Sequence, residues 1–142
     1  MPETARALCR AVVFVPPEAT AAQAAQAMTE ANIGSVLVGD ASHALGIFTE
    51  RDLVRKVVAK GLDPVRTPVR DVMTAELTTI EAGEPMTKVF FLLAQGRFRH
   101  VPISEDGKIV GMASVADLSK VLYDLAANQE FLDTFAEELK PE

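Results

Sequence analysis

Cysteine occurs once in these 142 residues, tryptophan not at all, tyrosine once and histidine twice. A single thiol, Cys9, excludes an intrachain disulfide and a thiolate metal cluster, and Cys9 is expected to act as a small, buried apolar residue. His43 and His100 lack the spaced partners of a metal site. Long hydrophobic runs are missing too. The longest early one, residues 11–15, ends at Pro16-Pro17 and is too short for the apolar region of a signal peptide. No stretch approaches the roughly 20 residues of a membrane span, so a cytoplasmic location without a membrane partner is expected. Positive charge is scarce: 14 Lys and Arg stand against 20 Asp and Glu, a net charge of −6. That balance gives no basic face, and nucleic acid is not an expected partner. An anionic ligand is still compatible, because a local helix N-terminus can outweigh the global field. There is no phosphate-binding P-loop and no dinucleotide glycine fingerprint. His100, Ser104 and Asp106 could only be a local strand-and-turn set, so no catalytic constellation is visible and the chain is not expected to be an enzyme.

What is present is an ordinary globular balance, 49% hydrophobic and 24% charged, arranged as a repeat. Shifting the chain by 65 superposes two halves. Ile33-Gly34-Ser35-Val36-Leu37-Val38 falls on Phe98-Arg99-His100-Val101-Pro102-Ile103, and Gly46-Ile47-Phe48-Thr49-Glu50-Arg51-Asp52-Leu53 on Gly111-Met112-Ala113-Ser114-Val115-Ala116-Asp117-Leu118. Each half carries a β-branched run (residues 12–15 and 77–80), a helical segment (20–31 and 85–95), two short strands (35–38 with 45–48, 101–103 with 109–113) and a second helix starting near Glu50 or Val115. Asp106-Gly107 is a hairpin signal. The order is β-α-β-β-α twice, an α+β fold. About 65 residues make a thin core, so the halves are expected to pack through their sheets. The expected divisions are 1–66, 67–125 and a C-terminal helical extension over 126–142. Over residues 121–139, Leu122, Leu125, Leu132, Phe135 and Leu139 follow one helical face, either packed on its own module or held for a partner.

Thr49-Glu50-Arg51-Asp52 and Ser114-Val115-Ala116-Asp117 admit two readings. Each has the form of a capping box at a helix start. Each is also a strand leading into a helix N-terminus, where free amides attract phosphate and a hydroxyl can bond a phosphate or ribose oxygen.

These motifs, with Arg97-Phe98-Arg99-His100-Val101-Pro102-Ile103 and Asp71-Val72-Met73-Thr74, closely resemble a tandem pair of cystathionine-β-synthase (CBS) domains, a Bateman module of the stand-alone bacterial type. The likeness covers residues 7–125. It implies two βαββα motifs related by pseudo-twofold symmetry, with two clefts between their sheets. It further implies a homodimer, and a regulatory role in which AMP, ADP or ATP binds and an unknown effector protein responds. No cofactor is required, and S-adenosylmethionine and NAD are the lesser ligands. One cleft would take Ile47, Thr49, Arg51 and Asp52 with Thr78, Phe98, Arg99 and His100. The other would take Met112, Ser114 and Asp117 facing Val13, Ile33, Gly34 and Ser35. Each Asp would accept from a ribose cis-diol, with Ile47 and Met112 against adenine. Arg99 and His100 have Gly34 and Ser35 as counterparts, so the Asp52 cleft is expected to be the more polar. Asp71-Val72-Met73-Thr74 corresponds to Ala7-Leu8-Cys9-Arg10, which departs from the motif and leaves the Asp117 cleft the weaker expectation. The alternative is a ligand-free dimerisation scaffold.

Overall fold

The computed structural model describes residues 4–127 and 129–141. Each half builds one three-stranded sheet. In the first, β1 (Phe14–Val15) pairs in parallel with β2 (Ser35–Gly39), and β2 pairs antiparallel with β3 (Ala44–Thr49). In the second, β4 (Ile80–Glu81), β5 (His100–Glu105) and β6 (Lys108–Ser114) repeat the order and directions. The register keeps the 65-residue period: Val15 faces Val38 as Ile80 faces Ile103, and a bulge follows Val38 as one follows Ile103.

Local chemistry sets the connections. Helix α1 (Ala21–Ala31) starts at Thr20, whose hydroxyl accepts from Gln23 N while the Gln23 side chain accepts from Thr20 N, a full capping box. It ends on Asn32 in the left-handed region, at φ 53°. The β5–β6 hairpin turns on Asp106 and Gly107, both with positive φ, as a two-residue hairpin requires. The first half lacks that dipeptide. There the Asp40 carboxylate accepts from Ser42 N and His43 N, a side-chain substitute for the turn. Helix α3 (Met86–Ala94) buries Met86, Val89, Phe90 and Leu93. Helix α2 (Glu50–Asp52) runs on as a π-helical turn over Leu53–Val58.

Two cores result, and they exchange their lead-in segments. The 3₁₀ turn Ala5–Leu8 buries Ala5 and Leu8 among Ile80, Val89, Val101 and Ile103 of the second half. The 3₁₀ turn Val69–Asp71, with Val72 after it, buries into Val36, Val38, Phe48 and Val57 of the first. Each half is therefore closed by the segment that precedes the other in sequence. A third cluster, Leu37, Ile47 and Met112 with Val12 and Leu77 against it, joins the two sheets.

The single apolar stripe expected over the C-terminal segment is divided. Helix α4 (Val115–Ala126) closes with Ala127 N donating to Asp124 O, a tighter i→i+3 turn, and α5 (Gln129–Glu138) is a separate helix. Leu122 and Leu139 are exposed; the side chains of Leu125, Leu132 and Phe135 lie outside the described residues.

Candidate functional site

Two clefts open between the halves, about 610 Å³ and 430 Å³ in volume. The smaller is lined by Ile47, Thr49, Arg51 and Asp52 from the first half and Thr78, Phe98, Arg99 and His100 from the second. These are the eight residues that the family resemblance implies for one cleft. The larger is lined by Met112, Ser114 and Asp117 with Ile33, Gly34 and Ser35. Val13 is a correction. It packs on the core of the first half, and Val12 faces the cleft in its place. Side chains alternate in extended chain, so neighbouring positions serve opposite faces.

Each cleft ends on a buried carboxylate at the start of a helix; Asp52 and Asp117 are each 8% exposed. Neither carboxylate is bare. Asp52 Oδ2 accepts from Thr49 N at 3.1 Å while Thr49 Oγ1 accepts from Asp52 N at 3.1 Å, so the capping box is realised. The Thr74 hydroxyl lies 3.3 Å from Asp52 Oδ1, and Lys56 Nζ pairs with that oxygen at 3.2 Å. Asp117 is held differently. Its Oδ2 accepts from Ser114 N at 2.8 Å and from the Ser114 hydroxyl at 3.1 Å, and Arg10 Nη1 pairs with Oδ1 at 3.1 Å. Arg10 is an exposed arm reaching across the cleft mouth, and such a pair contributes roughly 1 kcal/mol or less to stability.

Arg10 and Thr74 occupy equivalent places. Arg10 exchanges backbone hydrogen bonds with Met112 as Thr74 does with Ile47. Gly46 and Gly111 permit this approach. A Cβ on Gly46 would come within 2.6 Å of Thr74 O, and one on Gly111 within 2.8 Å of Arg10 O, with Cys9 Sγ nearer still. The segment that departs from the motif thus keeps its backbone role and supplies a guanidinium where the other half supplies a hydroxyl. Sequence reasoning passed over Arg10 as a site residue, together with Glu50 and Lys56. The signal for Arg10 was its alignment with Thr74.

Gly34, Glu50, Arg99 and His100 line both clefts and form the wall between them. The larger polarity expected of the Asp52 cleft therefore does not hold, because Arg99 and His100 face both sides. His100 Nδ1 is buried without a hydrogen-bond partner. Burial depresses the imidazole below its ordinary 6.5; Glu50 and Asp117 pull it back up, and Arg99 pushes it further down. The unfolded chain then binds the proton more readily than the folded one. Stability falls as pH drops through 6.5 toward the folded value and is flat above it. Urea unfolding of wild type between pH 8 and 5 should show this loss, and His100→Asn should flatten it; an unchanged slope in the variant would assign the loss elsewhere.

His100, Ser104 and Asp106 are strand and turn residues, as expected. The Ser104 hydroxyl donates to Glu81 Oε1 at 3.0 Å, and Asp106 sits in the hairpin turn. Cys9 is half-buried under Gly111, its thiol pushed up by burial. Among the described residues, no three His, Cys, Asp or Glu stand close enough to hold a metal ion, and no helix is long and apolar enough to cross a membrane.

Residues 5–59 and 69–124 each match the CBS domain family. An uncharacterized protein of Methanopyrus kandleri is 36% identical over 133 residues, covering 92% of this chain and 68% of its own length. A CBS domain-containing protein of Arabidopsis thaliana is 34% identical over 124 residues; the chain spans only 22% of that protein's length. Among solved structures, a putative signal-transduction protein with CBS domains from Burkholderia ambifaria superposes with a TM-score of 0.74 at 34% identity, over 80% of this chain and 83% of that one. A hexameric CBS-CP12 protein from bloom-forming cyanobacteria gives 0.74 at 30% identity, over 83% and 67%. With two matched segments, two sheets of one topology and a cleft on either side of their seam, this chain belongs to the CBS domain family as a tandem pair, generally a regulatory ligand-binding module.

Proposed function

We propose that the chain senses adenine nucleotides: AMP, ADP or ATP binds in the clefts, biases the packing of the two halves, and a partner protein responds. The observation that carries this reading is that each cleft takes residues from both halves and ends on a buried carboxylate. A ligand there touches both halves at once, so its binding energy acts on their relative arrangement. Two carboxylate oxygens suit a cis-diol, and Ile47 or Met112 offers an apolar face for a base. The module regulates and does not catalyse. Self-association fits the same reading. Val58 and Tyr123, one repeat apart, are 64% and 78% exposed, and Val54 lies beside Val58 on its helix turn; the cyanobacterial relative is hexameric.

A second reading, a ligand-free dimerisation scaffold, is favoured by one observation. Both carboxylates already hold internal partners, Lys56 and Thr74 on Asp52 and Arg10 on Asp117. Calorimetric titration and thermal shift with AMP, ADP, ATP, NAD and S-adenosylmethionine separate the two. Saturable binding with a raised melting temperature is expected for the adenine nucleotides. No stabilisation by any of the five would leave the scaffold.

A further inference from the structure

We infer that Glu50, on the wall common to both clefts, is a charge filter acting chiefly on the larger, favouring ligands with one phosphate over those with three. This rests on the nucleotide reading above and names the ligand class within it. Glu50 begins α2 and is exposed toward both openings. Its carboxylate and His100 Nε2 both lie 3.4 Å from the point where a Cβ on Gly34 would sit, which puts them together at the thinnest part of the wall. The repeat makes Glu50 singular: its counterpart is Val115, whereas Arg99 and His100 face Gly34 and Ser35. One carboxylate and one guanidinium therefore serve both sides.

The lining charges balance. In the larger cleft Arg10 and Arg99 face Glu50 and Asp117. In the smaller, Arg51, Arg97 and Arg99 face Glu50, Asp52 and Glu76. Burial holds His100 toward its neutral form, so the larger cleft carries no excess of positive charge, whereas in the smaller Lys56 already offsets Asp52. Arg10 is tied to Asp117 at 3.1 Å, and Arg97 lies 5.8 Å over the Phe98 ring. A single phosphate can take Arg99. In the larger cleft each further phosphate meets Glu50 with Arg10, already paired with Asp117, as the one other guanidinium among the described lining residues, and low ionic strength leaves that repulsion least screened.

The test is titration of wild type, Glu50→Gln and Arg99→Gln with AMP, ATP and inorganic tripolyphosphate at low ionic strength. Wild type should bind AMP more tightly than ATP by on the order of ten-fold. Glu50→Gln should bring the two to parity or reverse them, and Arg99→Gln should widen the gap. Wild type preferring ATP, or an AMP-to-ATP ratio unchanged in Glu50→Gln, overturns the filter. If no nucleotide binds any of the three proteins but tripolyphosphate binds Glu50→Gln about ten-fold better than wild type, the filter stands and the nucleoside reading falls. If nothing binds at all, both fall.

Discussion

Asp117→Ala should weaken AMP binding in the larger cleft by roughly 10- to 100-fold, the value of one or two hydrogen bonds to a charged acceptor. The carboxylate is buried at the foot of the cleft, and among the described residues its Oδ1 pairs with an exposed arginine side chain. That arm can swing aside for a ribose at little cost. Asp52→Ala should act likewise on the smaller cleft, where Lys56 and Thr74 must both give way, so the wild-type affinity there should be the lower of the two. The carboxylates also have a structural role. Removing Asp117 strips the acceptor from Ser114 N, and loss of such a cap costs about 0.5–2 kcal/mol. Calorimetry should therefore be run well below the melting temperature of each variant. Two single variants that each lose one class of site, and a double variant that loses both, are expected. Unchanged affinity in both single variants would remove the ribose contact from the account and leave the carboxylates as helix caps.

The second large effect concerns the fold. Gly111→Ala should destabilise the protein by roughly 1–3 kcal/mol, as overpacking does in a close-packed interior. The added methyl meets Cys9 Sγ and the Arg10 carbonyl, and Arg10 is hydrogen-bonded through its backbone to Met112. The strain falls on the lead-in segment that buries Ala5 and Leu8 in the second core, and through Arg10 on Asp117. Cys9→Ala removes the sulfur but not the carbonyl, so the double variant Cys9→Ala/Gly111→Ala should regain only part of the loss. Chemical denaturation of the four proteins measures the coupling. Full additivity would show that the two positions do not press on each other.

Much of this was legible beforehand because it is local. Thr49 with Asp52, Asp106-Gly107 and the β-branched runs each specify a cap, a turn or a strand within a few residues, and the elements form within a residue or two of the expected bounds. The strand starts are the exception. The runs at 12–15 and 77–80 give only two-residue strands, Phe14–Val15 and Ile80–Glu81, since hydrophobicity marks burial and not ladder hydrogen bonds. Val13 shows the same limit one level down: a single position in extended chain decides which face it serves.

The repeat by itself determined that this chain folds as two copies of one unit, because the period, the glycines at 46 and 111 and the aspartates at 52 and 117 recur at a fixed spacing that only a duplicated backbone satisfies. The resemblance to a CBS pair then implied a set of eight residues that the structure brings to one cleft. Only tertiary structure decided that each half is closed by the other's lead-in, that Arg10 reaches Asp117, and that Glu50, Arg99 and His100 form a wall common to both clefts. Those are contacts between residues far apart in the chain, set by how two sheets meet, and no local propensity encodes them.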